Sequence, residues 1–172
     1  MTGHGNFTDA THALGQDSQW EKRRDWILSF DGVIWLYKGG YAAKMEVRLL
    51  PSGPSVGQPE GFEYCFTFHE PGIDGGLGKR IYGLDNSHSP DKKPPNDHEH
   101  KTVWPKSPPG ARPRESIGRR VDELSLSKAF DLFPKRVDEI LKKLNLPVEV
   151  VGQKRTADAK VELRGVRSAK KS

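Results

Sequence analysis

From Tyr41 to Leu50 apolar and polar positions alternate, with Met45, Val47 and Leu49 set against Lys44, Glu46 and Arg48. Side chains along a strand point to opposite faces in turn, so this period predicts a half-buried strand. Pro51-Ser52-Gly53-Pro54 ends it. Phe62 to Phe68 repeats the pattern with Tyr64, Phe66 and Phe68 on one face, and Lys79 to Leu84 reads as a third strand. Upstream, Trp26 to Phe30 and Val33 to Tyr37 are short apolar runs on either side of the turn signal Asp31-Gly32, and both read as strands. Near the C-terminus the period changes. Leu126, Phe130, Phe133, Val137, Ile140, Leu141 and Leu144 recur at spacings of three and four, the stripe of an amphipathic helix. Ser127 is a candidate cap for its start, and Asn145 with Pro147 stops it. Pro134 removes a backbone donor within the stripe, which predicts a kink or a helix that begins there. Val148 to Val151 adds a short strand.

Strands first and a helix last predict an α+β fold, a small antiparallel β-sheet with one C-terminal amphipathic helix packed on a face. Residues 1–18 lack periodicity and read as a flexible leader. Residues 19–151 form a single domain, and residues 152–172 a basic tail. Within the domain, residues 89–118 read as a long Pro-rich loop. Seven of the 13 prolines lie between Ser89 and Pro113, which no sheet interior tolerates. Long loops in compact domains are usually functional or disordered.

A chain of 172 residues suits one domain with tails. One cysteine, Cys65, allows no internal disulfide. No apolar run approaches the roughly 20 residues that span a bilayer, and the N-terminus lacks the basic start and apolar run of a signal peptide. A cytoplasmic protein without membrane attachment is expected. The net charge of +5 is concentrated at the C-terminus. From Val151 onward seven basic residues, among them Lys154 and Arg155, face two acidic ones, so this segment carries the whole excess. Such a tail favours a polyanion through phosphate attraction and counterion release; a solvated tail without a partner is the alternative.

Chemistry concentrates around the loop. Asp85 and Asn86 end a strand, His88 follows, and His98-Glu99-His100-Lys101 closes the far side. In an extended chain His98 and His100 point the same way, so folding the loop back gathers three imidazoles. Two chemistries fit. Histidine titrates near neutrality, so one imidazole takes a proton while another gives one. Cleavage of RNA by its own 2′-hydroxyl needs that pair and a cation on the phosphorane oxygens, a role open to Lys101. Alternatively, His-x-His with a third His or Asp85 suits a transition metal. No cofactor or metal is expected to be required, because Lys101 beside His100 would repel a dication. A polar loop without chemistry also accounts for the spacing.

Tyr82-Gly83-Leu84-Asp85-Asn86-Ser87-His88, a loop, His98-Glu99-His100-Lys101, and a helix carrying Phe130 and Val137-Asp138-Glu139-Ile140-Leu141 resemble the TumE-type toxins of bacterial toxin–antitoxin systems. Their pattern is roughly Tyr-Asp-Asn-x-His, a short loop, His-x-His and a helix, and the similarity spans about residues 41–144. Leu84 is inserted between Tyr82-Gly83 and Asp85, and the loop is longer and richer in proline. The resemblance implies a small cytoplasmic toxin that acts on RNA, paired with a helix-turn-helix antitoxin. It implies catalytic roles for Asp85, Asn86, His88, His98, His100 and Lys101; together with the absence of a metal expected from Lys101, that reads as a metal-independent endoribonuclease.

Trp104, beside the histidines, is a candidate base-stacking surface, whereas Trp26 and Trp35 read as core. Arg112, Arg114, Arg119 and Arg120 form a basic cluster next to it, and Lys154 and Arg155 begin the basic tail. These residues suit a phosphate backbone or an acidic partner segment. A non-catalytic nucleic-acid- or partner-binding module is therefore the alternative to an enzyme.

Overall fold

The computed structural model describes residues 7–156 other than 109, 122 and 123, with side chains from residue 18 onward. Among the described residues the elements run α1 (Phe7–Leu28), β1 (Val33–Tyr37), β2 (Ala42–Leu49), β3 (Phe62–Pro71), a 3₁₀ turn (Ile73–Gly75), β4 (Leu77–Asp85), β5 (His98–His100), β6 (Thr102–Val103), β7 (Arg114–Glu115), β8 (Arg119–Arg120), α2 (Leu126–Lys143) and β9 (Val150–Arg155). Seven strands make one sheet in the order β8-β5-β4-β3-β2-β1-β9, and β6 with β7 makes a second, two-stranded one. Every pairing is antiparallel. The fold is α+β. No helix among the described residues is long and apolar enough to cross a membrane.

The alternation read from β2 and β3 is realised in register. Met45 pairs with Phe66, which pairs with Leu84; Ala43 pairs with Phe68, which pairs with Tyr82. All six are buried. Helix α2 covers this face with Leu126, Ala129, Phe133, Val137, Ile140 and Leu141. The Phe133 ring lies 5.5 Å from Phe66 and 5.9 Å from Tyr82, centroid to centroid. The helix cap is Ser125 rather than Ser127. Its hydroxyl accepts from the Lys128 amide at 3.3 Å, and Glu60 accepts from the Leu126 amide, so two of the free N-terminal donors are met. Pro134 lies inside the helix, not at its start. Asn145 adopts a left-handed φ of 57°, and the Leu146 amide bonds the Leu141 carbonyl at 2.9 Å, which closes the last turn.

Four expectations are corrected. Residues 7–18 belong to α1, and Trp26 to Leu28 form its last turn rather than a strand. A five-residue apolar run fits either element, and here Ile27 is its buried member while Trp26 is 56 % exposed. Trp26 instead packs edge-on to Phe30 and beside Phe130. The basic tail begins later than residue 152, because Val150 to Arg155 pairs with β1. Arg155 donates to the carbonyls of Ser29 and Asp31, tying the α1–β1 junction. The segment 89–118 is also less of a loop than its prolines suggest, since it contains β5 and β7. Residues 1–6 of the expected leader and 157–172 of the tail lie outside the described residues.

Candidate functional site

β4 places the site. Asp85 is its last residue, paired on one side with Cys65 and on the other with His98, while Gly83 pairs with His100. Leu84 and Glu99 pair between them and face α2. Asp85, His98 and His100 therefore share the opposite face of the sheet. The Asp85 carboxylate is buried. Its Oδ1 accepts from the Ser87 hydroxyl at 2.8 Å and the Ser87 amide at 3.3 Å. The Ser87 hydroxyl proton is thus committed, so Ser87 Oγ accepts from His88 Nδ1 at 3.0 Å. His88 is held by that one bond, is largely exposed, and keeps Nε2 as its lone-pair nitrogen.

His98 is fully buried. Its Nδ1 donates to the Asn96 carbonyl at 2.9 Å, and its Nε2 lies 3.2 Å from Asp85 Oδ1, too far off line to be satisfied as a hydrogen bond. His100 Nδ1 donates to the Ser116 carbonyl at 3.1 Å, and Nε2 lies 3.9 Å from Asp85 Oδ2. Ring centroids are 4.6 Å apart for His88 and His98, and 5.1 Å for His98 and His100. The expected convergence of the three imidazoles is present. Burial pushes the His98 pKa down, but Asp85 and the Asn96 carbonyl outweigh it and the net direction is upward. Burial pushes Asp85 up, and the His98 ring beside it together with the bonds from Ser87 outweigh that, so its net direction is downward.

The other expected residues divide. Asn86 is structural: its amide oxygen accepts from the Tyr64 amide at 2.8 Å and its Nδ2 donates to the Phe62 carbonyl at 3.1 Å. Lys101 is not in the cluster. Its ammonium lies 3.8 Å from Glu99 Oε2, on the helix side. Alternation along β5 sends Glu99 and Lys101 away from His98 and His100. There Glu99 accepts from Tyr82 at 3.1 Å and from Arg136 at 3.0 Å, beside a cavity of about 270 Å³ that Trp104 also lines. Trp104 is partly buried, with the Lys143 ammonium 4.6 Å from its ring centroid, so it does not flank the histidines.

Among the arginines, Arg120 is committed: it donates to the carbonyls of Lys93 and Pro94 and pairs with Asp91, pinning the loop. Arg112 is exposed, 3.7 Å from Glu70. Arg114 and Arg119 line a cleft of about 390 Å³ with Glu115, Ser116 and the exposed Ile117. The cleft adjoins the histidines through Ser116, whose carbonyl holds His100. Lys154 and Arg155 lie on the far edge strand, five strand spacings or about 24 Å from β5.

Sequence reasoning missed Gly118. A Cβ there would lie 2.8 Å from His100 Nε2 and 2.8 Å from His98 Cδ2, so only glycine leaves the rings this room. It also missed the two carbonyl acceptors, of Asn96 and Ser116, which no residue type signals. In comparisons with known proteins no family model matches the chain, and no curated protein and no solved structure matches it.

Proposed function

We propose that this protein acts on RNA as the toxin of a toxin–antitoxin pair, with the histidine cluster cleaving the phosphodiester backbone and a helix-turn-helix protein as its antitoxin. The carrying observation is that one buried carboxylate, Asp85, gathers three imidazoles of graded exposure, His98 buried, His100 mostly buried and His88 open. In the proposed step the 2′-oxygen attacks phosphorus and the bond to the 5′-oxygen breaks. The products are a 2′,3′-cyclic phosphate and a 5′-hydroxyl. His88 Nε2 takes the 2′-hydroxyl proton, and His100, when protonated, gives one to the leaving oxygen. His98 and Asp85 are positioning residues for this pair. Arg114, which lines the cleft that adjoins His100 through Ser116, is the cation proposed to hold a flanking phosphate, whereas Arg119 is the strand partner of Glu99, on the face away from the histidines.

Expression of the chain in bacterial cells tests this reading. Parental protein is expected to arrest growth and fragment cellular RNA, and His88→Ala at equal abundance to do neither. Arrest by His88→Ala with intact RNA would favour the non-catalytic binding module.

A further inference from the structure

Three nitrogen and oxygen donors in this cluster point at one place. Asp85, His98 and His100 each offer one ligand atom, and these atoms lie within 4.8 Å of one another. A carbonyl can only accept, so the Asn96 and Ser116 carbonyls fix the proton of each ring on Nδ1. In the neutral rings both Nε2 atoms then turn lone pairs toward the carboxylate. Two acceptors facing an acceptor is an unfavourable arrangement unless something positive sits between them. His98 Nε2, on a fully buried side chain, has no satisfied hydrogen bond. Leaving a buried polar atom so is unfavourable.

We infer that Asp85, His98 and His100 form a binding site for a divalent first-row transition ion, zinc foremost, through one carboxylate oxygen and two Nε2 atoms. Donors bound at about 2.1 Å in a tetrahedral shell lie about 3.4 Å apart. His98 Nε2 lies 3.2 Å from Asp85 Oδ1 and His100 Nε2 lies 3.9 Å from Asp85 Oδ2, and one donor atom from each of the three residues falls within 4.8 Å of the others, so a small rotation of the carboxylate or rings reaches that spacing. Imidazoles that ligate through one nitrogen while donating the other N–H to a backbone carbonyl are the usual supported arrangement. Two nitrogens and one oxygen suit zinc, cobalt or nickel, whereas magnesium and calcium ask for oxygen shells. Gly118 keeps the space between the rings open. The objection raised by the sequence disappears, because Lys101 lies on the other face of β5 beside Glu99. A bound ion would bring to this face the positive charge once assigned to Lys101, with His88 left outside the ligand set as a proton carrier. His100 would then serve as a ligand, and the donated proton would come from solvent.

The inference rests on donor geometry and not on RNA, so it is tested on the protein alone. Chelator-stripped full-length protein is titrated with zinc chloride and with cobalt chloride, by calorimetry and visible absorption. One ion per chain is expected, with the intense cobalt bands of a four- or five-coordinate site. Asp85→Asn and His100→Ala are each expected to weaken zinc binding at least 100-fold with unchanged circular dichroism. Nitrogen-15 spectra of the histidines make the test independent of how the variants fold. Zinc is expected to shift Nε2 of His98 and His100 in the parental protein and to leave His69 unmoved, since both of its ring nitrogens already have partners. No saturable zinc binding, or zinc binding that leaves the His98 and His100 resonances in place, would overturn the site. Either result would leave the RNA reading to be judged by His88→Ala.

Discussion

His98 Nδ1 donates to the Asn96 carbonyl at 2.9 Å, and that bond decides which ring nitrogen meets Asp85. The carbonyl takes the only proton of the neutral ring, so Nε2 faces the carboxylate as a lone pair, or as N–H once the ring is charged. Asn96 is itself anchored, its amide donating to the Gly57 carbonyl at 3.1 Å. The buried end of the cluster is thus set by backbone, and the exposed end by the single Ser87–His88 bond.

Gly118→Ala places a methyl group against both buried rings. Overpacking of this kind costs about 1–3 kcal/mol. The expected outcome is a fall in melting temperature of a few degrees together with loss of at least tenfold in RNA cleavage, measured on the same preparation. Full cleavage by a folded Gly118→Ala protein would show that the rings need not hold these positions.

Lys101→Ala separates the two sides of β5. Its ammonium pairs with Glu99 on the helix side, so cleavage by Lys101→Ala is expected to stay near the parental rate. A deep loss would return Lys101 to the catalytic group and require β5 to rearrange on binding RNA.

The Arg120–Asp91 clamp predicts a pH effect confined to the loop. Arg120, the largest influence, holds the Asp91 carboxyl down at about 2. A depressed carboxyl contributes its stabilisation above the value of a free aspartate, about 3.9, and loses it as pH falls through the folded value. Amide exchange in residues 89–97 is expected to be faster in Asp91→Asn than in the parent at pH 5. The difference should close as pH approaches 2. A difference that persists undiminished at pH 2 would mean that the clamp is not what orders this segment.

Phe133 joins α2 to the sheet under Phe66 and Tyr82. Phe133→Ala is expected to cost about 3–5 kcal/mol of folding free energy, read by urea denaturation. A cost below about 1 kcal/mol would show that α2 is not a principal cover of this face.

The sheet behind the site was legible, because the alternation of β2 and β3 is nearly uninterrupted from Ala42 to Leu49 and from Phe62 to Phe68, and β4 was read from Lys79 to Leu84, whereas the three residues of β5 lay within the segment read as a loop. The gathering of His88, His98 and His100 followed from parity along β5 and from the closing loop. The same parity, carried one residue further, puts Lys101 on the opposite face, so that error lay in the reading rather than in the signal. Helix α1 was hidden because its buried contact near the sheet is chiefly Ile27, within a run too short to reveal a period. The start of β9 fell within the short strand read at Val148 to Val151, but its continuation was hidden because the basic residues Lys154 and Arg155 do not look like strand, yet Arg155 caps a junction more than 120 residues away in sequence. Gly118 and the acceptor carbonyls were beyond reach, since their roles depend on tertiary approach.

The most direct test of the account is cleavage of RNA by purified full-length protein and by His88→Ala, compared at equal concentration after circular dichroism shows both folded. His88 is exposed and holds no other element in place, so its loss removes a proton carrier without removing structure. The account predicts a rate lower by roughly 10²–10⁴-fold for His88→Ala, as for a residue acting as acid or base, with RNA binding nearly unchanged. Cleavage by His88→Ala at the parental rate, in a preparation free of contaminating nuclease, would contradict it.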